Sequence, residues 1–191
     1  MKRVLNVGGG ASRELPTIYK GWQQDILDID ASVKPDIVLD AKQMTTLKPS
    51  QYDAVFCSHN LEHFYQHEVP LVLNGFKHVL RKTGFVHLAV PDLDALIKFV
   101  STNACDLTDT WYHCGAGPIT FHDVLYGWGR QVSQGNLYYA HKTGFTAKSL
   151  SRALGRAGFV SVRTASDGCS LHAFAFVQPA SKQRLQEVGA A

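Results

Sequence analysis

Short apolar blocks recur along the chain, some separated by stretches of helical spacing and others by turn residues. Residues 3–7 (RVLNV) read as a short buried strand that stops at three consecutive glycines, Gly8, Gly9 and Gly10. Residues 24–29 (QDILDI), 36–39 (DIVL) and 52–57 (YDAVFC) read as three further strands. A helix is expected over about 66–80, with Pro70 in its first turn and Gly84 beyond its end. Residues 85–90 (FVHLAV) form a fifth strand, followed by Pro91 and a helix over 93–100. Thr146 can cap a helix running to Ala157, which Gly158 stops. Residues 160–164 and 171–177 supply the last two strands.

Strands alternating with helices predict an α/β fold, a mostly parallel seven-stranded sheet wound on both faces. Only ASDGCS joins the final two strands, too little for a parallel crossover, so they form a hairpin. One antiparallel strand near one edge follows. Residues 101–145 carry weaker signals, beyond a helix expected near Pro118–Trp128, and are rich in glycine and aromatics. They read as a lid-like insertion in a single domain spanning 1–191.

Composition narrows the class. With 45% hydrophobic and 18% charged residues over 191 positions, the chain is globular rather than disordered. Its formal charge of +3 is dispersed, which argues against nucleic acid as a partner. Only a basic patch assembled from Arg130, Lys142, Lys148 and Arg152 would revive that partner. No apolar run is long enough to cross a bilayer, no signal peptide is seen, and Cys57, Cys105, Cys114 and Cys169 form no C-x-x-C pair. A cytoplasmic chain without membrane partners is expected.

In an open α/β sheet, ligands bind at the carboxyl ends of the strands. A dinucleotide site needs G-x-G-x-x-G, but Arg13 holds the third glycine's place and residues 10–23 leave little room for the usual helix. The glycines therefore mark either a plain tight turn or a ligand other than a pyrophosphate. Asp28 and Asp30 close the second strand and Asp40 the third. A carboxylate at the second strand's end can accept from both ribose hydroxyls, and one a strand further on from an adenine amino group. Glycines, a ribose acid and an adenine acid without a phosphate cradle describe an adenosine lacking phosphates.

The succession VLNVGGG, DILDID, DIVLDA, YDAVFCSHNLEH, VLRKTGFVHLAVPDLDAL and AHKTGFTAKSLSRALGRAGF resembles the Rossmann-like (class I) S-adenosylmethionine-dependent methyltransferases, most nearly a small bacterial group of predicted methyltransferases. The resemblance implies S-adenosyl-L-methionine as cofactor, with Gly8 and Gly10 near its methionine part and Asp28, beside Ile29, on its ribose. Asp40 and Ala41 would flank the adenine, and Ser58 and His59 border the methionine end. Asn6 stands where many relatives carry an acid, which weakens a contact to the cofactor's amino group. Between Ile29 and Asp36 there is too little chain for a helical crossover, so the third strand is either rudimentary or paired differently.

Methyl transfer from a sulfonium needs positioning and exclusion of water, and a base only where the acceptor carries a proton. His59, His141 and His122 are the candidate catalytic residues, with Asn60, Glu62, His63, Asp92, His113 and Tyr126 as further neighbours of the strand ends or the insertion. His59, His63 and His67 stand four apart, but Pro70 must lie in the helix's first turn, so the helix starts near Gln66 and the spacing breaks before His67; no metal is expected. Trp111, Tyr112, Trp128, Tyr138 and Tyr139 serve as an acceptor pocket, as the insertion's own core or as a homodimer contact. The expected activity is methyl transfer to oxygen or nitrogen of a small molecule. Its rivals are a non-catalytic cofactor-binding module and a nicotinamide-dependent reductase.

Overall fold

The computed structural model describes residues 1–115 and 117–189. Strands β1 (Arg3–Val7), β2 (Gln23–Asp28), β3 (Ile37–Val38), β4 (Tyr52–Ser58) and β5 (Leu80–Pro91) run parallel in the order β3-β2-β1-β4-β5. Helix α1 (Val69–Val79) precedes β5, and α2 (Leu93–Asn103) follows it. An insertion holds a two-stranded ribbon of β6 (Thr110–Cys114) and β7 (Gly117–Thr120), then α3 (Phe121–Tyr126) and α4 (Gly129–Val132). Helix α5 (Ala147–Arg156), β8 (Ser161–Ser166), β9 (Ser170–Phe176) and α6 (Lys182–Glu187) complete the fold. β9 enters antiparallel between β5 and β8, giving the seven-stranded order β3-β2-β1-β4-β5-β9-β8.

Burial separates the two sheet faces. On one, α1, α5 and the turn Ala41–Thr46 cover Leu5, Val55, Val86 and Leu88. On the other, Tyr19, Phe56, Phe85 and Phe176 form an aromatic layer closed by Leu185 and Val188. His87 lies in that layer, its ring stacked on Phe174 at 4.2 Å between centroids. A third, smaller core belongs to the insertion and packs Phe121 and Val124 on Leu96, with Trp111 and Tyr112 against them. Trp111 and Tyr112 pack against this small core, and Tyr112 also borders a cleft beside it.

One expectation holds and two change. The β1–β2 link carries only the single 3-10 turn Thr17–Tyr19, as its shortness requires, and β3 is indeed rudimentary. Residues 110–120 form a ribbon rather than the start of a helix, and the helix begins only at Phe121. Pro118 sits on that ribbon opposite His113, and a proline is tolerated in such an edge position. Thr120 then caps α3 through a reciprocal pair with Asp123. Finally, Gly84 lies inside β5, not between helix and strand, where the β4–β5 register shifts between Tyr52 and Ala54. Among the described residues no helix is long and apolar enough to cross a membrane.

Candidate active site

At the carboxyl end of β1 the chain turns through Gly8 (φ +70°) and Gly10 (φ +56°), backbone conformations that favour glycine. A Cβ on Gly8 would lie 2.2 Å from Asn60 Nδ2, so this glycine exists partly to admit Asn60. Gly9 is equally crowded by Asn6, which is buried beneath the turn. Gly10 faces open space, and its amide donates to Asp28 Oδ2 at 3.0 Å. The Asp30 amide donates to Asp28 Oδ1, also at 3.0 Å. Two backbone donors therefore aim the Asp28 carboxylate while each oxygen keeps a second lone pair. Arg13, in the missing glycine's place, pairs with Asp36 at 3.2 Å and ties the glycine loop to the start of β3.

Along the strand ends lies a cleft of ≈ 600 Å³, walled by Gly8, Asp28, Ile29, Asp40, Ala41, Asn60 and His63 among others. Asp40 caps the turn Ala41–Thr46 through the Lys42 amide. Lys42 Nζ stands 3.4 Å from Asp40 and 2.7 Å from Glu68, closing this end with a charged strap. The Glu68 hydrogen bond holds the Lys42 ammonium above its usual range, and Lys42 in turn holds the Glu68 carboxyl low. Tyr138 and Lys142 reach over from the insertion side.

Of the residues anticipated for the cofactor, Gly8, Asp28, Ile29, Asp40 and Ala41 line this cleft. Asn6 and Gly10 support it from behind, while Ser58 ends β4. His59 stands instead in a second cleft of ≈ 660 Å³, together with Glu62, His63, Tyr112, Asp123 and His141. His63 is a wall of both clefts.

The second cleft is held together by the return of the chain from the insertion. The Lys142 and Thr143 amides both donate to the Glu62 carbonyl, at 2.8 and 3.1 Å, which seats His141 beside the turn Leu61–His63. His141 Nδ1 lies 2.9 Å from the Val124 carbonyl, and His63 Nδ1 lies 3.1 Å from that of Ala140. Glu62 is 1% exposed; His59 Nδ1 stands 3.5 Å and His141 Nε2 3.9 Å from its Oε1. Burial pushes the Glu62 carboxyl up, but His59, His63 and His141 together outweigh it and keep it below the ordinary value. Burial works against protonation of His59 too, yet Glu62 wins and raises it. His141 goes the other way, lowered by burial more than Glu62 can raise it.

The remaining candidates have other work. His122 is exposed, its ring 4.8 Å from that of Tyr126, and lies in neither cleft. His67 is exposed and stacks on Tyr65, and His113 is exposed on the ribbon. Asp92 is buried as the cap of α2, bonded to the Asp94 and Ala95 amides. Asp123, though in the second cleft, is spent on Thr120 and Gly129. Sequence reasoning missed Lys42, Glu68, Phe64, Tyr138 and Lys142 as walls of the first cleft. Lys42, two residues after Asp40, had a local signal, and Tyr138 is among the aromatics read as a pocket lining; Glu68 had no signal.

Residues 5–88 match the family model of a methyltransferase domain. No curated protein matches the chain. Among solved structures, a SAM-dependent methyltransferase from Archaeoglobus fulgidus is similar at 15% identity and TM-score 0.60, over 92% of this chain and 86% of that one. The 1,6-didemethyltoxoflavin-N1-methyltransferase of Burkholderia thailandensis, solved with 1,6-didemethyltoxoflavin and S-adenosylhomocysteine, is similar at 16% identity and TM-score 0.53, over 91% and 70%. An O-methyltransferase family protein from the same organism is similar at 14% identity and TM-score 0.58, over 92% of this chain and 50% of that one. Residues 5–88 thus carry the pattern of a methyltransferase domain, and over more than nine tenths of its length the chain shares the Rossmann-like fold of solved S-adenosylmethionine-dependent methyltransferases.

Proposed function

We propose that the protein transfers the methyl group of S-adenosylmethionine to an oxygen or nitrogen of a small molecule seated in the second cleft, with residues 101–145 acting as a lid on a single domain. One observation carries this reading: His63 walls both clefts, so the two adjoin at its side chain and their occupants can come into contact beside it.

The first cleft suits the cofactor on its own geometry. Asp28 offers two free lone pairs, already aimed by the Gly10 and Asp30 amides, to the vicinal hydroxyls of a ribose. Ala41 and the Lys42 stem border the adenine end, and Gly8 with Asn60 the methionine end. Bound there, S-adenosylmethionine supplies a methyl group already activated on a sulfonium. The chain then has to hold the acceptor in reach and keep water out. His59, raised by Glu62 and half exposed, can take a proton that a hydroxyl or amine acceptor must lose. The toxoflavin-precursor enzyme, which holds a small molecule and S-adenosylhomocysteine together on this fold, is a precedent for the arrangement.

Thermal unfolding with S-adenosylhomocysteine, S-adenosylmethionine and NADH in parallel tests the cofactor. A ligand at 100 times its dissociation constant adds about 2.7 kcal/mol, a rise in the midpoint of roughly 5 °C for a domain of this size. A rise with the two sulfur nucleosides and none with NADH is expected; no rise with either nucleoside overturns the reading. Labelled methyl from S-adenosylmethionine should then move onto members of a hydroxyl and amine panel. Binding without transfer to any of them would favour the non-catalytic module.

A further inference from the structure

We propose that Glu62, His63 and His141 form a binding site for a divalent transition-metal ion at the floor of the second cleft. One donor atom from each of the three lies within 4.8 Å of the others. A separation of that size closes onto an ion with ligand distances of about 2.1 Å after a small inward movement.

Three features point to a ligand here, independently of the residue types. The first is the tautomer of the two imidazoles. A backbone carbonyl only accepts, so the contacts of His63 Nδ1 to Ala140 and of His141 Nδ1 to Val124 put the ring hydrogen of each neutral imidazole on Nδ1. Nε2 of each ring is left with a lone pair, and fixing a ligand histidine through its other nitrogen is the usual support of a metal site. The second is Glu62, fully buried with neither carboxylate oxygen hydrogen-bonded within the described residues. The third is their orientation. With His141 neutral, its Nε2 faces Glu62 Oε1 at 3.9 Å as one electron-pair donor before another. In that state nothing joins the two, and a cation between them, a proton or a metal ion, makes the contact attractive.

The donor set selects the ion. Two imidazoles and one carboxylate favour zinc, iron(II), cobalt or nickel over magnesium or calcium, which prefer all-oxygen shells. Three protein ligands leave at least one coordination position, and it opens toward the cleft that holds His59 and Tyr112. If the methyl acceptor sits there, as the proposed function has it, its hydroxyl oxygen would coordinate and release its proton to solvent nearer neutral pH. The structural alternative is a protonated His59, whose Nδ1 at 3.5 Å would neutralise Glu62 without any metal.

The experiment uses full-length protein stripped with chelator, titrated with Zn2+ by calorimetry and with Co2+ by visible absorption. The expected result is one equivalent bound, with the intense visible bands of a four- or five-coordinate Co2+ site. Affinity should fall at least tenfold in His63→Ala and in His141→Ala, and stay unchanged in His67→Ala, whose exposed ring lies outside the cluster. The cooperative unfolding transition of each variant, measured without ligand, reports that the fold is intact. No bound metal in the wild type, or affinity lost in His67→Ala and kept in the other two, overturns the site. Metal binding without any response to S-adenosylhomocysteine would count against the methyltransferase reading and leave the metal site standing.

Discussion

The two clefts are neighbours, yet they are built in different ways. The first is made at the ends of parallel strands from a glycine turn, a carboxylate and a capped turn, each set by residues close together in sequence. The second is made from side chains that the fold brings together across long separations: Glu62 and His63 after β4, and His141 after the whole insertion. The first is anchored by backbone amides on Asp28; the second depends on two backbone amides clasping the Glu62 carbonyl. A site at strand ends inherits the rigidity of the sheet, whereas a cleft built from a long connection can vary while the sheet stays fixed.

The sharpest way to break the first cleft is Gly8→Ala. The new Cβ would fall 2.2 Å from Asn60 Nδ2 at a φ of +70°. Backbone strain and overpacking together should cost about 3 kcal/mol in chemical denaturation, with loss of S-adenosylhomocysteine binding. Unchanged stability would mean that the turn relaxes freely and is not a rigid platform.

A smaller effect separates the histidines of the two regions. Glu62 raises His59, but His87, buried in the aromatic layer and repelled by His172, is lowered to about 4. Its neutral form is the folded one, so below the ordinary histidine value the unfolded chain binds the proton that the folded chain refuses. Stability from this group is therefore intact above about pH 6.5 and declines as pH falls toward 4, by about 2 kcal/mol between pH 7 and pH 5. His87→Phe should flatten that part of the stability profile; an unaltered slope would assign the acid sensitivity elsewhere. The smallest effect is expected at His122, exposed and outside both clefts: His122→Ala should change stability and turnover by no more than about 0.5 kcal/mol in effective free energy.

These contrasts also explain what was legible in the sequence. The seven-stranded sheet could be read because its strands are short apolar blocks ended by Gly8, Asp28 and Asp40, and because ASDGCS is too short for anything but a hairpin. The same strand-end logic found Asp28 and Asp40 on the first cleft. The β6–β7 ribbon escaped because its apolar alternation is brief and Pro118 looks like a helix start. The histidine spacing misled in a different way: His59, His63 and His67 share a period of four, but His59 has φ +47° and α1 begins only at Val69. The partner that His63 does meet, His141 with ring centroids 5.0 Å apart, lies far along the chain, and no local pattern announces it.

The central claim is that Asp28 holds the ribose of S-adenosylmethionine at the end of β2, and calorimetric titration of S-adenosylhomocysteine into the wild type and Asp28→Ala tests it most directly. Hydrogen bonds from two hydroxyls to a carboxylate are worth about 1.5–3 kcal/mol each, so the account predicts affinity weaker by about a hundredfold or more in the variant, with the fold retained. Equal affinity in the two proteins, or no binding to either, would contradict it.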